Sequence, residues 1–367
     1  MLTRASLAIS ILAIFMGLAA CGIGRSGAGH QTAYVITPFN SSVGVFHIDN
    51  NTGAFSQILG SPYATGISPS SILLHPSGKF AYISNAGENN ISLFKITSTG
   101  ALTEVTPRTL TGQNPASMAM DSAGSLLFVA NATSNTITGY SISASTGALT
   151  AVPGPPAQTG FSPVRLAITP SGKFLYVANS NSASLSGFSI DSSGGLTPVL
   201  NPPVAVGAGP NWIAIDPSGK FLYAASLAAG NFSGFTIDSG SGALTRMSGS
   251  PFGVTSSTTT TPLSSLVVDS SGKYLYVANQ SGNNVYAFTI DATTGVPAAI
   301  TATPVPPYAA GTAPIFIMND TTGKLLFVGN QTSPSITVFR ITPASGILTS
   351  ISTSSTASAP TSMAVVK

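Results

Sequence analysis

The string LAITPSGKFLYVANS (166–180) is written again, slightly changed, as IAIDPSGKFLYAAS (213–226) and LVVDSSGKYLYVANQ (266–280). A chain that repeats one sentence at a near-fixed interval is constrained to fold as a stack or ring of like units. The YVAN-like elements end at Thr37, Asn85, Asn131, Asn179, Ser226, Asn279 and Asn330, in steps of 48, 46, 48, 47, 53 and 51 residues. Each step has room for four short strands. Seven marks at this spacing predict an all-β, seven-bladed β-propeller with four-stranded blades.

The strands can be read inside one repeat. The first is apolar and follows a proline, as in PVRLAI (163–168). A turn such as TPSGK reverses the chain, because Pro and Gly supply the fixed and positive φ angles a tight turn needs. FLYVA is the second strand. The third ends in an aromatic residue, a polar one and Ile, with the aromatic at Phe46, Phe94, Tyr140, Phe188, Phe235, Phe288 and Phe339. Residues two apart share one face of a strand, so aromatic and Ile are expected to pack together between blades. A turn such as Thr146-Gly147 then leads to the fourth strand, ALTAV (148–152). The frame is out of phase with the chain. It opens on a second strand, AYVIT (33–37), and closes on a first strand, TSMAVV (361–366). The two ends are therefore expected to share the first blade and close the ring, which leaves no open inner edge to aggregate.

Only 6% of residues are charged, against roughly 25% in ordinary soluble domains. The net charge is +3 with no basic block, which argues against nucleic-acid binding. The one cysteine, Cys21, excludes an intrachain disulfide. Its setting is informative. Arg4 precedes an apolar run from Ala5 to Ala20, shorter than the about 20 residues of a membrane span and suited to the core of a secretory signal. An ordinary signal peptide or an anchor helix would fit the same run. The ending Leu18-Ala19-Ala20-Cys21 resembles the bacterial lipobox. That resemblance implies a signal peptide over 1–20, lipidation at Cys21, a flexible tether over 21–31 and the propeller over 32–367. Gly22 rather than Asp follows the cysteine, which in that class implies the outer membrane of the bacterial cell envelope, on its periplasmic or outer side. Membrane contact is then expected through the lipid anchor alone, on a monomer.

The PSGKFLYVAN strings resemble those of YVTN-type and lactonase-type seven-bladed propellers, a group that includes 6-phosphogluconolactonase-like proteins, across 32–367. The resemblance implies the fold; it implies less about activity, because propellers host many functions. In such proteins ligands sit in the central channel or on the top face, where the loops between strands two and three meet the links between blades. The lactonase-like enzymes carry a Pro-His pair where an inner strand begins, with further His, Arg and acidic groups around the channel. Here the matching prolines are followed by Ser70, Ala116, Val164, Asn211, Ile315 and Thr361, and Pro262 of the irregular sixth repeat by Leu263.

His75 stands in a turn where other repeats have Asp121, Thr169, Asp216 and Asp269, so it reads as a turn residue. His47 falls in a solvated column and His30 in the tether. The recurrent Asn column suits turn capping. Lys79, Lys173, Lys220, Lys273 and Lys324 belong to repeat turns. The charges left over are Glu88 in NAGENN (85–90), Arg108 in TPRTLTGQNP (106–115) and Arg165. Arg165 follows Pro163 by two residues; its counterparts are Ser71, Ser117, Trp212, Ser265, Phe316 and Ser362. An inner-strand Arg is costly unless hydrated by a channel or braced by an ion pair between blades. Trp212 and Phe316 beside a channel could stack on a ligand or simply pack. Arg165, Trp212, Phe316 and Arg108 are thus the candidate ligand contacts. For catalysis only Arg165 as donor and Glu88 as base remain, on blades four and two. No metal-ligand cluster and no cofactor motif is found, so none is expected. Three classes stay open: a module binding a small molecule or an envelope protein at the top face or channel, a lactone hydrolase, and a surface-layer or adhesion protein.

Overall fold

The structure, a computed structural model, describes residues 30–254, 261–301, 303–304 and 306–366. Cys21, the expected signal peptide and most of the expected tether lie outside them. Seven antiparallel sheets stand around one axis, each built outward from an inner strand. The inner strands are Ser362–Val366 (blade 1), Pro69–Leu74, Pro115–Met120, Pro163–Ile168, Pro210–Ile215, Leu263–Val268 and Pro314–Asn319 (blade 7). In blades 1 and 3 to 6 the outer, fourth strand is broken into two short pieces, both paired to the third strand.

The ring closes as the phase of the repeats requires. Ser362–Val366 runs antiparallel to His30–Thr37, with Val35 opposite Met363 and Thr32 opposite Val366. That second strand begins at His30, so His30 and Gln31, read above as the end of the tether, belong to the sheet. Gln31 explains the difference. Its side chain is buried, donates to Asp320 (2.9 Å) and Asn50 (2.8 Å), and accepts from the Thr321 hydroxyl (3.1 Å). It therefore stitches blade 1 to blade 7.

The core lies between blades. Tyr276 and Val285 of blade 6, for example, pack with Ile317, Leu326, Phe339 and Ile341 of blade 7. The second strands carry a tyrosine in five blades. Its hydroxyl reaches a turn carbonyl of the next blade: Tyr34 to Gly100 (3.1 Å), Tyr82 to Gly147 (2.8 Å), Tyr176 to Gly242 (2.7 Å), Tyr223 to Gly295 (2.6 Å) and Tyr276 to Gly346 (2.9 Å). Blades 3 and 7 have Phe128 and Phe327 there and lack the bond. A buried hydroxyl needs such a partner, so one recurring bond serves the tyrosine and fixes the spacing of blades.

The two faces are held differently. On the bottom, Asp216 accepts the backbone N–H groups of Lys220 (2.8 Å) and Phe221 (2.7 Å), and Asp269 and Asp320 repeat the pattern. On the top, Asn131, Asn179 and Asn330 donate to Thr138 (2.9 Å), Ser186 (2.9 Å) and Thr337 (3.0 Å) of their own blades. The Asn column is fully buried and structural. Glycine recurs where the incoming chain crosses it; a Cβ at Gly66 would overlap the Asn85 amide.

Candidate functional site

The seven inner strands enclose a channel of about 570 Å³, within the range of small-molecule sites. In blades 2 to 7 the strand begins with a register shift, so that Arg165 faces Ala178, Trp212 faces Ala225 and Phe316 faces Gly329. Such irregularities re-aim side chains at the rims of closed sheets. Except in blade 6, where Leu263 takes the place, they fall where proline, lacking an N–H, opens the strand.

Arg165 is half-buried, enclosed by the ring with its remaining surface in the channel. Its guanidinium carbon lies 3.5 Å from the centroid of the Trp212 ring. Stacking of this kind is favourable by about 0.5–2 kcal/mol and holds the planar cation flat. Among the described residues no carboxylate pairs with it; both ion pairs belong to Arg108. Burial pulls its pKa down to about 10, so Arg165 is a cation at neutral pH without a counter-ion. Neither arrangement foreseen for an inner-strand arginine, an open hydrated channel or a bracing ion pair, includes this stack.

Trp212 lines the channel and also packs against the cluster of blades 7 and 1 that contains Phe316. Phe316 itself is buried beside Ala33, Val35 and Ile48. Its ring lies over Gly329, where a Cβ would overlap it. Phe316 is thus largely core, and Arg165 with Trp212 forms the polar feature of the bore.

Glu88 and Arg108 lie elsewhere. Arg108 stands on the outer strand Leu102–Leu110 of blade 2 and pairs with Glu88 (2.6 Å) and Glu104 (2.7 Å). None of the three lines the channel. The structure therefore does not bring Glu88 to Arg165. Glu104 escaped the sequence reading; the strand is irregular between Val105 and Thr109, so spacing alone did not place it beside Arg108.

In three blades the residue in the expected His slot braces the ring. Ser70 donates to the carbonyl of Pro115, Ser264 to that of Pro314 (2.6 Å) and Asn211 to that of Ser264 (2.6 Å). One position needs correction. Leu263, opposite Asn279, takes the place that Pro163 holds opposite Asn179, so the slot in blade 6 is filled by Ser264 rather than Leu263. His75 is buried on the bottom face, with Nε2 3.0 Å from the Gly124 carbonyl and Nδ1 2.8 Å from the Ser77 hydroxyl. It ties blade 2 to blade 3, as a turn residue would. Among the described residues no three His, Cys, Asp or Glu side chains come together as a metal site.

The channel lining runs from the Arg165 level down to Pro170 and Pro217 of the bottom turns and includes no residue of the top loops.

A closed ring of seven blades around a ligand-sized bore defines the class: a channel-bearing β-propeller. Within it, the chain belongs to the family described as lactonase, 7-bladed beta-propeller, whose model matches residues 26–162, 152–259 and 253–366. Comparison with curated proteins gave no match. Several solved structures share the fold. A candidate 6-phosphogluconolactonase of Bacteroides fragilis is 22% identical with a TM-score of 0.79, over 94% of this chain and 100% of that one. A protein of Lactobacillus plantarum is 18% identical with a TM-score of 0.78, over 93% and 100%. The periplasmic gluconolactonase of Pseudomonas aeruginosa is 18% identical with a TM-score of 0.77, over 93% and 99%.

Proposed function

We propose that this protein is a lipid-anchored envelope propeller whose channel binds a small ligand through an anionic group held by Arg165. The observation that carries this reading is a channel cation stacked on Trp212 without a carboxylate partner. A guanidinium fixed by its face keeps its in-plane N–H donors free, in the fork geometry that a carboxylate or phosphate accepts. Lipid anchoring rests on the Leu18-Ala19-Ala20-Cys21 ending. Cys21→Ser should release the protein from membranes; unchanged retention would remove that part of the proposal.

Family membership favours lactone hydrolysis as the second reading. That reaction needs a base or activated water and donors for a developing oxyanion. Among the described residues, the titratable side chains lining the channel are Arg165 and Asp216, and the Asp216 carboxylate is committed to its turn. None of the seven His-slot positions holds a histidine, and in three the residue there braces the ring. Both facts support binding over turnover.

Calorimetry with phosphate, gluconate and hexanoate tests the proposal. Hydrogen bonds to a charged group contribute about 1.5–3 kcal/mol, so Arg165→Ala should weaken the bound anion about 10- to 150-fold. Binding unchanged in Arg165→Ala would remove the site. Turnover of aldonolactones or acyl lactones above background, abolished by the same substitution, would replace the binding reading with a hydrolase.

A further inference from the structure

We infer that the Arg165 ligand is an amphiphilic carboxylate, with an anionic head and an aliphatic body, rather than a sugar acid. This rests on the anion-binding reading of Arg165 given above and narrows its ligand class. Below the Arg165 level the bore is walled by Leu73, Ala167, Ile215, Val267, Met318 and Val365, one from each of six blades and all half-buried. On the seventh, Met118 faces the same space. The side chains that a polyhydroxylated body would need are missing from this stretch of lining.

The backbone offers less than an open strand edge would. The Leu166 N–H already donates to Ser117 Oγ of the neighbouring blade (3.3 Å). The carbonyls of Pro115, Ser264, Pro314 and Val268 already accept from Ser70, Asn211, Ser264 and Asn319. A hydroxyl buried without a partner weakens binding about 5- to 150-fold, and a sugar acid carries several. A methylene buried in the same place strengthens it about fourfold (about 0.8 kcal/mol). The five steps from Arg165 to Pro170 give up to about 16 Å of bore at about 3.3 Å per step, enough to bury a tail.

The test is calorimetry on the full mature chain carrying Cys21→Ser, which needs no detergent, with acetate, hexanoate, decanoate and gluconate. Affinity should rise on the order of 100-fold from hexanoate to decanoate. Gluconate should bind more weakly than hexanoate, and Arg165→Ala should weaken each probe about 10- to 150-fold. Ala167→Leu narrows the bore and should erase the decanoate advantage. Arg165-dependent binding of gluconate tighter than hexanoate would overturn the ligand class and leave the anion site standing. Decanoate binding unweakened in Arg165→Ala would place the acyl chains elsewhere and also overturn it. No Arg165-dependent binding of any probe would remove both readings.

Discussion

The pairing of Phe316 with Gly329 gives a sharp test of how the inner ring is packed. Four other blades carry alanine at the Gly329 position: Ala130, Ala178, Ala225 and Ala278. Glycine is required only where the facing residue is Phe316, whose ring occupies the space of the missing Cβ. Gly329→Ala should overpack this contact at a cost of about 1–3 kcal/mol. Replacing a strand glycine by alanine returns about 0.5–1 kcal/mol, so the net loss is about 1–2 kcal/mol. With an unfolding entropy near 2.1 cal/mol/K per residue, a ring of this size should lose about 1–3 °C in Tm. In a Phe316→Ser background, which copies the serine of the equivalent positions in blades 2, 3 and 6, the same Gly329→Ala change should be neutral or stabilising. Calorimetric melting of the four proteins reads the difference. Equal shifts in both backgrounds would refute the steric argument and with it the placement of Phe316 in the core.

Three further outcomes follow from particular contacts. Tyr223→Phe leaves the buried Gly295 carbonyl without its donor at 2.6 Å, and should cost about 1–3 kcal/mol in urea unfolding; no change would mean that the recurring tyrosine bond does not hold the blades. Burial raises the pKa values of Tyr34, Tyr82, Tyr176, Tyr223 and Tyr276 above the usual 10.0. The unfolded chain therefore ionises first, and stability present below pH 10 should fall as pH rises beyond it; urea midpoints unchanged between pH 8 and 11 (about one unit above the free phenol value) would contradict this. Arg108→Ala breaks a partly exposed ion-pair cluster worth about 1 kcal/mol or less after screening, and should leave ligand affinity unaltered; a loss of affinity would return Arg108 and Glu88 to the site.

The ring and its closure were legible because both are periodic properties. A strand alternates faces every residue, so the aromatic-polar-Ile ending and the out-of-phase termini fix blade number and closure without any long-range knowledge. Arg165 was legible for a related reason: in an aligned column of serines, one cation stands out. What it touches was not legible. Arg165 and Trp212 sit one repeat apart, and whether they stack depends on how neighbouring sheets splay. The Arg108–Glu88–Glu104 cluster was hidden because the register of the long outer strand of blade 2 is irregular near its middle. Gln31 looked like tether because nothing local marks it as buried; its partners Asp320 and Thr321 lie at the far end of the chain. The sixth blade misled by carrying Pro262 next to the slot that Leu263 fills.

Trp212 is the only tryptophan of the chain, and it forms one face of the proposed site. Its emission, followed while decanoate is added, reports that site alone. A saturable change in the wild-type protein, absent in Arg165→Ala whose fold is intact by circular dichroism, is the result the account predicts. Emission that stays flat while calorimetry detects bound ligand would place the ligand away from the Arg165–Trp212 stack and contradict it.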